Sequence, residues 1–224
     1  MSFGDKKLSE IAVSVPGSTS LLRKYDLDFC CGGSDTLANA AAEKGLNLAE
    51  IETRLTELQN SKAENPEEYW VNATYPEIID HILVRYHQRH REQLQELIVL
   101  ADRVESVHGD REDCPMGVAA ELRNVYEDLS NHMMKEEHVL FPMIKAGNYM
   151  MAQMPIRMME MEHAEHGEHL DVLKSLTNNM TPPADACNTW LALYSGIQEF
   201  IDDLMMHIHR ENNILFPRVI AENH

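Results

Sequence analysis

Two short stretches of the sequence place a histidine four residues before a glutamate. They are His132 with Glu136 and His207 with Glu211, and each leads in the same register to the sequence Leu-Phe-Pro. Residues four apart on an α-helix differ in direction by about 40°, so each pair points two potential ligands into one space. Each pair can therefore chelate a metal ion.

Four long helices are predicted to carry these ligands. Few residues are β-branched or aromatic, and Leu, Ala, Glu, Met and His fill segments with a period of 3.6 residues, so the chain is predicted to be all-α. The four helices are expected at about 76–107, 116–145, 154–177 and 184–221. Their apolar stripes include Leu83 on the first helix and Met143 on the second.

Histidines interrupt the apolar stripes of the first and third helices in the same way. His87 and His90 lie on the first stripe, and His163 and His166 lie on the third. With a His-x3-Glu pair on the second and fourth helices, this makes an internal repeat of a helix pair. The bundle is therefore expected to have approximate two-fold internal symmetry.

A metal explains these buried polar positions better than ordinary core packing does. One histidine on an apolar stripe is usually a hydrogen-bonded core residue, but two buried carboxylates with several imidazoles need compensating cations. Mixed imidazole and carboxylate ligands without thiolate in two matched half-sites favour two irons, and manganese or zinc stays open.

The first quarter of the chain differs from the rest. Residues 1–58 are predicted to form a small domain of short helices that ends in an amphipathic run. Residues 59–75 are predicted to be a linker, because the stretch 60–68 is polar and contains a proline, and residues 76–224 form the predicted bundle.

Composition restricts the partners. The net charge of -18 repels phosphate backbones and anionic lipid surfaces, so neither nucleic acid nor a membrane is an expected partner. The first residues lack the pattern of a signal peptide. The cysteines at 30, 31, 114 and 187 do not have the spacing of a disulfide framework or a zinc site, which favours a reducing compartment such as the cytoplasm.

The helices and the stretch Tyr-Asp-Leu-Asp-Phe-Cys-Cys-Gly-Gly at 25–33 together resemble a known family. Residues 76–220 are similar to the hemerythrin-like superfamily, and the vicinal cysteines ahead of such a bundle look like the di-iron proteins for repair of iron centres, called YtfE, RIC or ScdA. The resemblance implies a hemerythrin-like up-down four-helix bundle with two irons per chain joined by an oxo or hydroxo bridge. It implies six iron ligands, of which Glu136 and Glu211 bridge the metals: His87, His132, Glu136, His163, His207 and Glu211.

The sequence departs from that of oxygen-carrying hemerythrins at two positions. Those proteins have His-x3-His on the third helix and His-x4-Asp on the fourth, whereas Gly167 and Asn212 occupy the corresponding positions here. The departure argues against simple oxygen transport and leaves open coordination for a small ligand or for release of metal.

Several other residues are candidates for subsidiary roles. Adjacent cysteines close only a strained disulfide ring, so Cys30 and Cys31 suit redox chemistry or iron handling, although a buried pair before a turn would also explain them. Glu162 could line an access path or accept a proton, and a solvated glutamate explains it equally well. His90 and His166 are expected to hydrogen-bond to ligands rather than bind metal. The remaining bundle histidines are expected to be exposed or capping: His81, His108, His138, His169 and His209.

Three functions follow from the resemblance and the incomplete ligand set. The first is repair of iron–sulfur clusters damaged by nitrosative or oxidative stress, through iron donation to damaged iron–sulfur proteins. The second is an enzyme that binds nitric oxide and reduces it to nitrous oxide, or hands it to a redox partner. The third is a sensor of diatomic gas or iron. A homodimer is expected, since the small N-terminal unit needs a surface to pack on.

Overall fold

The computed structural model describes residues 2–61 and 63–222, and within these ranges the chain is helical and contains no β-strand. The all-α prediction is confirmed. The α-helices are α1 (Leu8–Ser14), α2 (Ser18–Lys24), α3 (Leu37–Glu43), α4 (Leu48–Asn60), α5 (Pro66–Asn72), α6 (Tyr75–His81), α7 (Gln88–His108), α8 (Val118–Lys135), α9 (Phe141–Lys145), α10 (Tyr149–Leu176), α11 (Asn188–Arg210) and α12 (Phe216–Ala221). Three π-helical segments continue α6, α8 and α11: π1 (Ile82–His87), π2 (Glu136–Leu140) and π3 (Glu211–Leu215).

The chain divides into two compact units, each made of segments that contact one another more than they contact the rest. The first comprises Met1–Ile78 together with Met206–His224, and the second comprises Ile79–Met205. The predicted division at residues 58 and 76 remains a prediction. Within the described residues, no helix is both long enough and apolar enough to cross a membrane.

The second unit is a bundle of antiparallel helices. Hydrogen-bonded pairs between α7 and α8, together with the π segments that adjoin them, run from Asp102 with Arg123 at one end to His87 with Glu137 at the other. The pairs Arg85 with Asp203 and Arg89 with Glu199 show that π1 and α7 also run antiparallel to α11. Helix α8 packs on α10 as well. Since neighbouring helices are antiparallel, ligands near the middle of one helix can face those of the next.

The π-helical segments were not predicted, and they shift the apolar stripes. A π turn inserts an extra residue, so the positions beyond it rotate relative to a regular α-helix. Leu83 and Met143 are accordingly only half-buried, whereas Tyr86 and Ile144 are buried. The predicted core positions of Leu83 and Met143 are therefore wrong.

The third predicted helix begins earlier than expected. Its predicted start was at about residue 154, and a proline inside a helix removes one backbone hydrogen bond. The helix α10 instead begins at Tyr149 and includes Pro155 in its second turn.

The first unit is built from the short helices and the C-terminal segment. Helix α1 packs on α2, α5 and π3, and α4 packs on α2 and α3. Leu8, Ile11, Leu22, Ile51 and Leu55 are fully buried in its core. The segment predicted as a linker contains α5, whose Glu67 is buried.

Candidate metal centre

Four of the predicted ligands meet in the core of the second unit. His87 Nε2 lies 3.3 Å from Glu136 Oε2, and His132 Nε2 lies 3.4 Å from Glu136 Oε1. His163 Nε2 lies 3.1 Å from His132 Nε2. All four side chains are at most 1% exposed. Three imidazoles thus surround one carboxylate away from solvent.

The π-helical segments lie where these ligands are. His87 is the last residue of π1, and Glu136 is the first residue of π2. Such segments occur frequently at functional sites because the extra residue redirects side chains without ending the helix. In this bundle they let His87 and Glu136 face the same interior point.

Glu137 fixes the orientation of His87. Its Oε1 lies 2.8 Å from His87 Nδ1 and 2.7 Å from a guanidinium nitrogen of Arg91. The hydrogen bond from His87 lowers the pKa of Glu137 to about 2, with burial opposing and Arg91 assisting. An ionised carboxylate only accepts hydrogen bonds, so Nδ1 carries the proton. The lone pair of His87 Nε2 therefore faces Glu136.

Glu162 does the same for His132. Its Oε2 lies 2.9 Å from His132 Nδ1, and its Oε1 lies 2.5 Å from Lys135 Nζ. The hydrogen bond from His132 lowers the pKa of Glu162 to about 2, with burial opposing and Lys135 assisting. Carboxylates that accept from the far nitrogen of a ligating histidine fix its tautomer and raise its basicity.

The other two predicted ligands lie in the first unit. His207 Nε2 is 3.2 Å from Glu211 Oε1, and both side chains are at most 1% exposed. Helix α11 carries the histidine, and the glutamate begins π3, so this pair repeats the arrangement of His132 and Glu136. The structure thus brings the six predicted ligands into two buried groups, one in each unit.

The group in the second unit suits a metal ion. The donor atoms of His132, Glu136 and His163 all lie within 4.8 Å of one another. Donors about 2.1 Å from one metal ion are about 3 to 4.2 Å apart, so a small contraction would seat a cation. Burying an ionised carboxylate is costly, and a cation at this position would offset that cost. Imidazole and carboxylate donors together suit iron, manganese or zinc.

His90 and His166 are buried in the same unit. The His166 ring meets the His132 ring edge to face, with centroids 4.9 Å apart. The His90 ring lies between Tyr86 and Phe200. Among the described residues, neither histidine belongs to a group of three or more donors close enough to bind one ion. Their role as hydrogen-bonding neighbours remains a prediction.

His209 was expected to be exposed or capping, and this prediction is wrong. Its side chain is fully buried beside Glu67, whose Oε2 lies 3.4 Å from His209 Nε2. Arg210 pairs with the same carboxylate and covers the ring of Trp70. This cluster could not be predicted from local patterns, because its carboxylate comes from α5, more than a hundred residues away in the chain.

The vicinal cysteines form a compact loop in the first unit. Neither cysteine is in a disulfide bond, and their sulfur atoms lie 3.8 Å apart. Cys30 is buried, and its pKa is raised first by the Cys31 thiol and then by burial. Cys31 is half-buried. The donor atoms of both cysteines and of Asp28 lie within 4.8 Å of one another.

Sequence reasoning missed Glu137, Arg91 and Lys135. Glu137 directly follows a ligand and Glu162 directly precedes one, so each is turned about 100° from the ligand stripe. That position normally indicates a solvated residue. The basic residues offered a weak signal. An acidic residue next to a ligand could have been paired with a basic residue on a neighbouring helix, as Glu137 is with Arg91 and Glu162 with Lys135.

Replacing Glu137 with glutamine is expected to weaken iron binding about tenfold, within the range typical for partners of metal-bound histidines. The neutral amide no longer favours the Nδ1 proton of His87 as strongly. Competition with a coloured chelator measures the affinity. The matched control is Glu160→Gln, since Glu160 is exposed. Iron affinity of Glu137→Gln within twofold of the unmodified protein would refute the orienting role.

The fold and the buried ligand groups define the class of protein. The hemerythrin HHE cation-binding domain family matches residues 78–219, and the chain belongs to this family. Residues 4–59 match ScdA_N, described as a domain of unknown function. The hemerythrin-like helical bundle and the small N-terminal domain predicted from the sequence are therefore confirmed.

Full-length relatives carry more specific names. The chain is 68% identical to the "Probable iron-sulfur cluster repair protein" of Haemophilus influenzae over 222 residues, 99% of this chain and 100% of that protein. It is 55% identical to the "Iron-sulfur cluster repair protein YtfE" of Citrobacter koseri, with 99% of each chain covered. Similarity to the repair family, suggested by the vicinal cysteines, is thus confirmed along the whole chain.

Proposed function

We propose that this chain is a di-iron protein that repairs iron–sulfur clusters damaged by nitrosative or oxidative stress, by donating iron to them. The buried group of His87, His132, Glu136 and His163 carries the proposal, because it offers metal ligands in a chain closely similar to repair proteins. The clients are damaged iron–sulfur proteins.

We further propose that His207 and Glu211 complete the ligand set of the second unit. Two lines of support are the internal repeat and the family match, which spans all six residues. Two irons per chain, with Glu136 and Glu211 bridging and an oxo or hydroxo group between them, would satisfy both buried carboxylates. When bound, these irons supply redox-active metal that can also be released.

The residues around the ligands hold protons in defined places. By accepting hydrogen bonds, Glu137 and Glu162 keep the protons on Nδ1 of His87 and His132. The Nε2 lone pair of each histidine is then available to bind metal. Glu162 is also bonded to Lys135 near the surface. We propose that Glu162 lines an access path to the ligands, or accepts a proton there, since its carboxylate joins His132 to Lys135 near the surface.

Cys30 and Cys31 are proposed to handle iron or electrons during transfer. Cys31 is accessible enough to react, and the neighbouring thiol is close enough to share an ion with it. Thiolates are soft ligands that bind iron well, so the pair suits a temporary holding position.

The setting of the protein is proposed from the same considerations. Cysteines that form no disulfide, together with the proposed clients, fit the cytoplasm. A homodimer and a redox partner that processes nitric oxide are proposals from the sequence.

Iron transfer tests the proposal directly. Purified protein is loaded with ⁵⁷Fe and mixed with an iron–sulfur protein whose cluster nitric oxide has destroyed, in the presence of inorganic sulfide and a thiol reductant. Mössbauer spectroscopy follows the label in the rebuilt cluster. We expect about two irons per chain at the start and labelled clusters at the end. Cys30→Ser/Cys31→Ser is expected to slow transfer at least fivefold, whereas Cys187→Ser, at an exposed cysteine, is the control.

Other outcomes would decide for the rival functions. A protein that retains its label but converts nitric oxide to nitrous oxide is a nitric oxide reductase. Zinc or manganese in the anaerobically purified protein would contradict the di-iron assignment.

A further inference from the structure

The loop that carries the vicinal cysteines is bonded to π3, the segment that begins with Glu211. Asn212 Nδ2 donates to the carbonyl oxygen of Cys30 over 3.0 Å. Asn213 Nδ2 donates to the carbonyl oxygen of Phe29 over 2.8 Å. Two consecutive amides therefore hold two consecutive carbonyls of the loop, in the turn that follows the His207–Glu211 pair.

The loop itself is internally rigid. The carboxylate of Asp28 accepts the backbone N–H groups of Cys30, Cys31 and Gly32 at 2.8–2.9 Å. A Cβ atom at Gly33 would lie 2.5 Å from the carbonyl oxygen of Phe29, so only glycine fits there. A loop with these internal hydrogen bonds behaves as a rigid unit. Its position therefore depends on the hydrogen bonds that it makes with other segments.

Buried groups orient the side chain of Asn213. The amide nitrogen of Asn213 also lies 2.8 Å from His209 Nδ1, which must be the acceptor because an amide nitrogen only donates. The opposite nitrogen of His209 faces Glu67, and the ring of Phe29 packs edge to face on the His209 ring. The buried His209 thus accepts a hydrogen bond from Asn213, which in turn donates to the loop.

We propose that Asn212 and Asn213 form an amide clamp that positions Cys30 and Cys31 beside the helix bearing His207 and Glu211, and so sets how readily the thiols receive iron. The second part rests on the proposed iron donation. An aspartate at position 212 could not donate to the Cys30 carbonyl and would repel it. An amide rather than a carboxylate at this position is therefore required by the loop.

The test uses the full-length, iron-loaded protein with Asn212→Asp and Asn213→Asp, singly and together. Each change keeps the side-chain shape and replaces the donor by an acceptor. Alkylation of Cys31 by iodoacetamide is followed by mass spectrometry. We expect the double variant to react on the order of tenfold faster, because two hydrogen bonds become repulsive contacts. Asn188→Asp, at the exposed start of α11, adds the charge of one such substitution elsewhere and is the control for the single variants.

Iron content and unfolding temperature show whether the variants fold. Folded variants that keep their iron are expected to deliver it to the acceptor several-fold more slowly. Alkylation within twofold of the unmodified protein would overturn the clamp. Faster alkylation with an unchanged transfer rate would overturn its role in receiving iron. If the unmodified protein itself transfers no iron, the proposed function fails, but the alkylation experiment still tests the clamp.

Discussion

Glu136→Ala is expected to abolish stable iron binding, because this carboxylate contacts both His87 and His132 and is the only anion among the four buried ligands of its unit. Loss of an outer hydrogen-bond partner typically weakens metal binding 10- to about 100-fold, and loss of a shared ligand should exceed that range. Metal analysis after anaerobic purification, with a chelator competition on reconstituted protein, measures the loss.

A surface glutamate on the same stretch of helix provides the comparison. Glu127 lies on α8 and is exposed, so Glu127→Ala should retain full iron content. If Glu136→Ala binds as much iron as Glu127→Ala, the buried group around Glu136 is not the metal centre. Circular dichroism of both variants separates iron loss from loss of helix.

Removing iron from the unmodified protein is expected to lower its unfolding temperature by about 8–16 °C. A ligand present at about 1,000 times its Kd stabilises the folded state by about 4 kcal/mol, and each kcal/mol corresponds to about 2–4 °C in a domain of this size. The physical cause is the buried carboxylates, whose charge the metal ions compensate. Scanning calorimetry before and after chelation gives the shift.

The variant Glu211→Gln distinguishes stabilisation by bound iron from a general loss of stability caused by a substitution in the core. Neutralising a fully buried carboxylate removes its desolvation cost, so the metal-free variant should unfold at a higher temperature than the metal-free unmodified protein. The same variant should bind less iron. An unfolding temperature that chelation leaves unchanged in the unmodified protein would contradict the coupling of metal binding to stability.

The pairs of His132 with Glu136 and His207 with Glu211 could be found from the sequence because helical periodicity alone aligns residues four apart. The same periodicity failed at Leu83 and Met143, where a π turn changes the register. No local pattern announces such a turn, since its cost is offset by ligands and core contacts from other helices.

The carboxylates that orient the ligand histidines and the amide clamp also could not be predicted from the sequence. Glu137 lies next to a ligand yet points toward Arg91 on another helix, and Asn212 bonds to a carbonyl that is far away in sequence. Hydrogen bonds between distant segments depend on how helices pack, which periodicity does not encode. His209 was misjudged for the same reason.

The all-α fold could be predicted from the sequence, as could the repeat of ligand-bearing helices and the chemical type of the donors, because these follow from periodicity and residue chemistry along single helices. Only the folded structure shows which groups orient the ligands and what holds the cysteine loop. Those contacts join residues from separate elements, and only the folded chain brings their donors and acceptors within hydrogen-bonding distance.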